Sequence, residues 1–429
     1  MADLSDLIRR REARLGVVGL GYVGVPVAAM LASRGFDVTG VDRDPQRVAL
    51  LERGLNPIGG DEPGLDDLVA GASLKATTSY SALASADVIL ICVDTPVGSD
   101  HQPQLGSLEA ACRSLAEVVK PGSLVVVEST IPPGTMDGRV APLFSEAPVL
   151  LGHCPERVMP GRLLRNLRTM DRVLGAASAD AAAAMRALYA TFVEGELDDT
   201  DLLSAELVKT VENTYRDVNI AFANQVALIC EALGADVWKV RELVRKSPGR
   251  DMLLPGPGVG GHCIPKDPWL LASALGEAAS TSLIASARAL NDSMPRRVAA
   301  IALGLMPAGG DRRVTLLGCA YLENSDDTRN SPSQTVAAEL RRAGCEVVLS
   351  DPFVAGVEPD ALTALEGADC AILMVGHATY AQLDLVRAAS VMRGPNLIDT
   401  RNFFPVESPA AAGFKLRRLG APSQSRSPG

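Results

Sequence analysis

The sequence predicts an α/β protein: two Rossmann-like doubly wound domains joined by a helical central domain with a long spine helix. Three observations predict it. A glycine turn, GLGYVG at 19–24, stands between an apolar run and an apolar helix pattern. The stretch SAELVKTVENTYRDVNIAFANQVALICEAL, 204–233, contains neither Gly nor Pro. After MPAGGD, 306–311, a linker by composition, a second alternation of strands and helices begins. The implied boundaries are a dinucleotide-binding domain at 1–197, a helical domain at 198–305, a second Rossmann-like domain at 306–417 and a disordered tail at 418–429.

In chain order, Leu15 to Val18 reads as a strand, Val25 to Ser33 as a helix and Asp37 to Val41 as a strand. ADVILICVDTP is a further strand ending at Thr95–Pro96, and SLVVVESTIPPGT another ending at Ser129–Thr130. Strands alternating with helices argue for a parallel, doubly wound sheet. From about Asp201 to Leu243 the pattern turns helical, with Leu207, Val211, Tyr215, Val218, Phe222, Val226 and Ile229 at helical spacing. This apolar stripe predicts a central spine and a homodimer surface. TSLIASARALNDSMPRRVAAIAL extends the helical middle. In the C-terminal part, RRVTLLGCA, SPSQTVAAELRRAG, CEVVLSDPF, GADCAILMV and PNLIDT repeat the N-terminal order, and ASRGFDVTGVDRD resembles RRAGCEVVLSDPF.

A formal charge of −10 argues against a nucleic-acid partner. The eight cysteines form no CxxC pair and the four histidines no HxxxH, so neither a disulfide framework nor a metal site is expected. The N-terminus lacks an apolar signal region and no run approaches the roughly 20 apolar residues of a membrane span. The expectation is a cytoplasmic protein with no membrane partner.

Gly19, Gly21 and Gly24 follow a strand and precede a helix. They serve the tight turn, the backbone approach to a pyrophosphate and close helix–strand packing, and the helix N-terminus then faces the phosphates. Asp42 ends the second strand, where a carboxylate takes ribose hydroxyls. This predicts NAD. The acidic residue disfavours a 2′-phosphate, although Arg43 and Arg47 follow it. The C-terminal half lacks the glycine fingerprint, so it either binds a nucleotide differently or only packs.

GPGVGGHCIPKDPW, 256–269, places Cys263 in a glycine-rich loop. Lys266 and His262 favour a thiolate, and Asp267 suits a base or a water-orienting role. Beside a nicotinamide, such a thiol adds to an aldehyde, loses hydride and leaves a thioester for hydrolysis. The equal alternative is a small residue filling a glycine turn. Lys209 and Asn213, four apart, share one face of the long helix, with Arg216 three further on. They can steady an oxyanion, or be a solvated lysine and a surface amide.

GLGYVG, CPERVMPG, SAELVKTVENTYRDVNIAFAN, GPGVGGHCIPKDPW and NSDDTRNSPS occur in this order across about residues 14–415. On these motifs the chain resembles the UDP-glucose/GDP-mannose dehydrogenases, which oxidise the C6 alcohol of a nucleotide sugar to a carboxylate with two NAD⁺. The resemblance implies Cys263 as thioester-forming nucleophile, Lys209 as oxyanion stabiliser and Asn213 as its partner. It implies Asp267 as the acid–base carboxylate, Glu156 as an aid to hydrolysis and Thr130 as the holder of an ordered water. It further implies cofactor contacts at Gly19, Gly21, Tyr22, Val23, Gly24, Asp42, Arg47, Thr95, Thr130, Lys266 and Arg329. Substrate contacts are implied at Glu156, Arg157, Lys209, Asn213, Arg216, Gly260 and Arg401, with Arg250 lent across a dimer. The C-terminal half is then expected to hold the UDP portion.

Within that family, GGHC before IPKDP and the CPERVMPG run favour UDP-N-acetylmannosamine as the substrate. Lys266 is instead shared with the UDP-glucose and GDP-mannose branches, which keeps UDP-N-acetylglucosamine, UDP-N-acetylgalactosamine and UDP-glucose as alternatives. A β-hydroxyacid dehydrogenase would share the N-terminal fold and a Lys–Asn pair but needs no cysteine. A non-catalytic NAD-binding regulator would have no use for the complete residue set.

Overall fold

The computed structural model describes residues 3–59, 62–157, 161–307 and 309–422. They divide into two compact units. The first runs to Glu212 and includes Trp269–Ala279; the second comprises Asn213–Pro268 and the chain from Ser280 onward. The helical middle expected at 198–305 falls partly in each unit.

The first unit carries eight strands: β1 (Arg14–Val18), β2 (Asp37–Val41), β3 (Leu74–Thr77), β4 (Val88–Ile91), β5 (Leu124–Val127), β6 (Leu150–His153), β7 (Arg172–Ala176) and β8 (Leu197–Thr200). Their order is β3-β2-β1-β4-β5-β6-β7-β8, and only the β6–β7 pair is antiparallel. Every residue of β4 and β5 is fully buried. Val88, Leu90, Leu124 and Val126 face one core, while Ile89, Ile91, Val125 and Val127 face the other. Burial on both faces is why these strands read as continuous apolar runs, and each such side chain contributes roughly 1.5–3 kcal/mol. The strands end at Ile91 and Val127, sooner than the apolar pattern suggests, so Thr95 and Thr130 lie on the following loops.

In the second unit β9 (Arg313–Leu317), β10 (Glu346–Ser350), β11 (Cys370–Leu373), β12 (Asn396–Asp399) and β13 (Lys415–Arg418) form a parallel sheet ordered β10-β9-β11-β12-β13. This order repeats β2-β1-β4-β5-β6 of the first sheet, without a counterpart of β3, as the repeated sequence pattern predicts. The first residues of the tail expected at 418–429 are part of the fold. Arg418 ends β13, Leu419 and Ala421 are buried, and Gly420 N–H donates to Glu231 at 2.8 Å. Residues 423–429 lie outside the described residues.

The long helix spans Leu202–Leu233 and stops at Gly234, whose φ is 76°. A separate helix, Val237–Val244, follows, capped by the Asp236 carboxylate accepting Trp238 N–H at 2.9 Å. The apolar stripe of the long helix points outward: Tyr215 is 69% exposed, Phe222 59% and Leu233 77%. Its buried side is instead small or polar, with Ala205, Glu206, Lys209, Thr210, Thr214, Asp217 and Asn224. Among the described residues no single helix is long and apolar enough to cross a membrane.

Candidate active site

The first unit presents a nucleotide cradle at the C-terminal ends of β1, β2, β4 and β5, the topological switch point of its sheet. Gly19 has φ 89°, and a Cβ there would stand 2.6 Å from Cys92 O; one on Gly24 would stand 1.8 Å from Gly19 O. Among the described residues no atom lies within 4 Å of where a Cβ on Gly21 would be, so they leave the backbone there open to a ligand. Val23 caps the helix Gly24–Ser33 without a side-chain bond, leaving that end to a phosphate. These residues fit NAD. Tyr22 donates to Glu62. Asp42 accepts from Leu20 N–H at 2.7 Å, Asp44 N–H at 2.9 Å and Arg47 at 3.1 Å. Three of its roughly four acceptor positions are used, leaving one for a ribose hydroxyl. Arg47 is thus Asp42's own ion-pair partner. Thr95 Oγ1 donates to Thr130 O at 2.6 Å, which joins the two loops predicted to touch the cofactor.

Lys209 lies in the same unit, 8% exposed, with no ion-pair or hydrogen-bond partner among the described residues. Burying a lysine without an anion costs free energy, and developing negative charge on a ligand would relieve it. One turn earlier, Glu206 accepts Gly134 N–H at 2.6 Å and Met136 N–H at 2.7 Å. It ties the loop after Thr130 to the helix of Lys209. Glu156 is buried against Arg172 in an ion pair and accepts Arg157 N–H at 2.6 Å. The Arg157 guanidinium, expected on the substrate, pairs with Glu212 at 2.6 Å.

The second unit supplies the thiol. Cys263 is exposed and outside any disulfide, and its carbonyl accepts Lys266 N–H at 3.0 Å and Asp267 N–H at 2.8 Å. Asp267 is fully buried. Its Oδ2 takes Asn213 Nδ2 at 2.5 Å, while Lys266 Nζ lies 2.8 Å from Oδ1 as an ionic contact without hydrogen-bond direction. Lys266, expected on the cofactor, is therefore tied to Asp267. Gly261 has φ 90°, and its N–H donates to Arg329 O at 2.9 Å. A Cβ at Gly260 would stand 2.6 Å from Tyr321 Cβ and 2.9 Å from Asn330 O. Gly260 and Gly261 are thus required by packing against the 321–330 segment, where the sequence suggests a role toward ligand. The Arg329 side chain is bidentate on Asp327. Arg401 Nε donates to Met374 O at 2.8 Å at the end of the second sheet. Arg216 and Arg250 are both exposed, and Arg250 Nη1 donates to Pro248 O at 3.3 Å.

Several supporting residues leave no local sequence signal. Asn224 Oδ1 accepts Gly256 N–H at 2.9 Å and its amide donates to Asn291, which bonds Asp217. This buried network holds the start of the glycine loop. His101 and Trp269 stack at 4.0 Å and fasten the segment after Asp267 to the loop after β4. Glu206 had one signal, its position three residues before Lys209. In the second unit Asp351 repeats the place of Asp42 but turns inward, accepting Cys319 N–H at 2.6 Å and Ala320 N–H at 3.1 Å. His377 Nδ1 accepts Asn324 N–H, so Nε2–H is the atom that donates to Asp351.

The chain matches the UDP-glucose/GDP-mannose dehydrogenase family in three parts: NAD binding domain at 13–193, central domain at 203–293 and UDP binding domain at 315–405. It is 39% identical over 420 residues to a UDP-N-acetyl-D-mannosamine dehydrogenase of Methanocaldococcus jannaschii, covering 95% of this chain and 96% of that one. An NDP-N-acetyl-D-galactosaminuronic acid dehydrogenase of Ralstonia nicotianae is 37% identical over 423 residues, covering 92% and 97%. Among solved structures, a UDP-D-ManNAc dehydrogenase from Pyrococcus horikoshii superposes with a TM-score of 0.86 at 38% identity, covering 95% and 99%.

Proposed function

The chain belongs to the UDP-glucose/GDP-mannose dehydrogenase family of NAD-dependent enzymes, and from that premise we propose that it oxidises C6 of UDP-N-acetyl-D-mannosamine to the uronate through a Cys263 thioester. The observation that carries the reading is the exposed Cys263 in a loop whose Asp267 is hydrogen-bonded to Asn213, one turn from the buried Lys209. The names of the relatives support the sugar.

Bound NAD⁺ supplies the hydride acceptor. The chain's own residues do the rest. Asp267, oriented by Asn213, takes the proton of the C6 hydroxyl, directly or through water. Lys209 balances negative charge that develops on the C6 oxygen. Cys263 Sγ adds to the aldehyde carbon, and after the second oxidation it is held as a thioester. Glu156, fixed by Arg172, orients the water whose attack breaks the C–S bond. The balance is one alcohol, two NAD⁺ and one water giving one carboxylate, two NADH and three protons. The dependence on two NAD⁺ requires that the cradle be emptied and refilled while the sugar stays covalently held.

The proposal extends to a homodimer built on the outward apolar stripe of the long helix, and to the cytoplasm, where NAD⁺ and UDP-sugars are present. Seven of the eight cysteines are buried or half-buried and none is paired, in keeping with a reducing compartment. The test is NADH yield with UDP-N-acetylmannosamine, UDP-N-acetylglucosamine, UDP-N-acetylgalactosamine and UDP-glucose each limiting. Two NADH per UDP-N-acetylmannosamine is expected. One NADH would remove the thioester step, and two from another sugar alone would change the substrate.

A further inference from the structure

A line of buried groups crosses the C-terminal edge of the first sheet, from the glycine turn to Glu156. Cys92 follows β4 and packs on the turn: a Cβ on Gly24 would lie 3.4 Å from its Cβ. Glu128 follows β5, is 2% exposed, and its Oε2 accepts from Cys92 Sγ at 3.4 Å. Its Oε1 accepts from Tyr189 OH at 2.6 Å, and its carbonyl accepts Glu156 N–H at 3.3 Å. Cys154 follows β6, also fully buried. Arg172 opens β7, 1% exposed, pairs with Glu156 and donates Nη2–H to Leu167 O at 3.2 Å; its Nε has no hydrogen-bond partner among the described residues. His153 on β6 bonds Val127 O, and burial pulls its imidazole down to about 4, so it stays neutral.

The cluster holds two carboxyl groups and one guanidinium. With both carboxyls ionised it carries an unbalanced buried charge, which costs free energy. With Glu128 protonated, Arg172 and Glu156 match one to one. Burial first, and then the charge of Glu156, push the Glu128 carboxyl up to about 7, against the pull of Tyr189 and Arg172. Cys92, Cys154 and Tyr189 are pushed upward by burial and remain neutral donors.

We propose that Glu128 is a positioning residue for thioester hydrolysis, acting in its neutral form by leaving Arg172 wholly to Glu156. The inference rests on the thioester reading above. In that step water adds to the thioester carbon, the C–S bond breaks, and Cys263 leaves as a thiol with release of a carboxylate and a proton. When Glu128 ionises it competes for Arg172, Glu156 loses its fixed partner, and hydrolysis slows. Cys263–acyl enzyme then accumulates as pH rises.

The experiment is intact-mass analysis of acid-quenched enzyme during turnover with saturating NAD⁺ and UDP-N-acetylmannosamine at pH 6.5 and 8.5. In the parent the adduct fraction is expected to rise about threefold or more. In E128Q it should hold its pH 6.5 level, and in Y189F, which removes a donor that favours the charged carboxylate, the rise should move to higher pH. A merely structural Glu128 would change the amount of active enzyme and leave the pH dependence alone. A rise in E128Q matching the parent, or no rise in the parent, overturns the proposal. No adduct at either pH together with acid formation by C263S removes the thioester reading itself, and this proposal with it.

Discussion

Asn213 Nδ2 donates to Asp267 Oδ2 at 2.5 Å, joining the long helix to the loop that carries the thiol. Asp267 is fully buried, and its other oxygen faces Lys266. Within the Cys263 loop, 256–269, it is the one carboxylate. Asp267→Asn keeps the volume and removes the basicity. It is expected to lower kcat about 10²–10⁴-fold, with KM for the UDP-sugar within about threefold. A large rise in KM with kcat preserved would make Asp267 a binding group.

Lys209 is expected to act on charge that exists only as the reaction proceeds. Lys209→Ala should therefore reduce kcat about 10²–10³-fold and leave sugar affinity nearly intact. Lys209→Gln should not restore activity, because a neutral amide cannot balance an oxyanion as an ammonium does. Steady-state kinetics with titrated UDP-sugar separates the two parameters. Unchanged kcat with raised KM would refute the role.

Much of the first unit is legible because its signals are local. The GLGYVG turn lies within one strand–turn–helix, and Asp42 is placed by the length of the second strand alone. The Cys263 loop announces itself by composition. What the sequence conceals is pairing at a distance. Arg172 lies 16 residues from Glu156 with no shared motif, and Asn224 lies 32 from Gly256. The glycines at 260 and 261 look like a ligand cradle until Tyr321, far along the chain, is seen to fill their space. The helix pattern is a different case. Its apolar period is real, but periodicity reports a face, not what covers it.

That exposed face gives a third prediction. Tyr215 and Phe222 stand 69% and 59% exposed, seven residues apart on one stripe. In a two-fold assembly each side chain is buried twice, at roughly 1.5–3 kcal/mol per side chain. Y215E/F222E is expected to convert a micromolar dimer into a monomer, read by sedimentation velocity, with the helical circular dichroism retained. A parent that sediments as a monomer at micromolar concentration would sink the dimer.

Glu128 makes a stability prediction independent of turnover. In the folded protein its carboxyl holds a proton up to about 7, whereas in the unfolded chain it releases it near the ordinary value of about 4.3. Between those limits the native state binds the extra proton, so this group's effect is to lower stability as pH rises from about 4 to about 7, with no further change above. Glu128→Gln removes that dependence without adding a charge. The melting temperature of the variant minus that of the parent should therefore increase from pH 5 to pH 8, by about 2–4 °C for a linkage of this size. The increase should come mostly below about pH 7. Differential scanning calorimetry across that range reads it directly. Parallel curves for the two proteins would mean that Glu128 is ionised throughout, and Arg172 would then already be shared between two carboxylates at neutral pH.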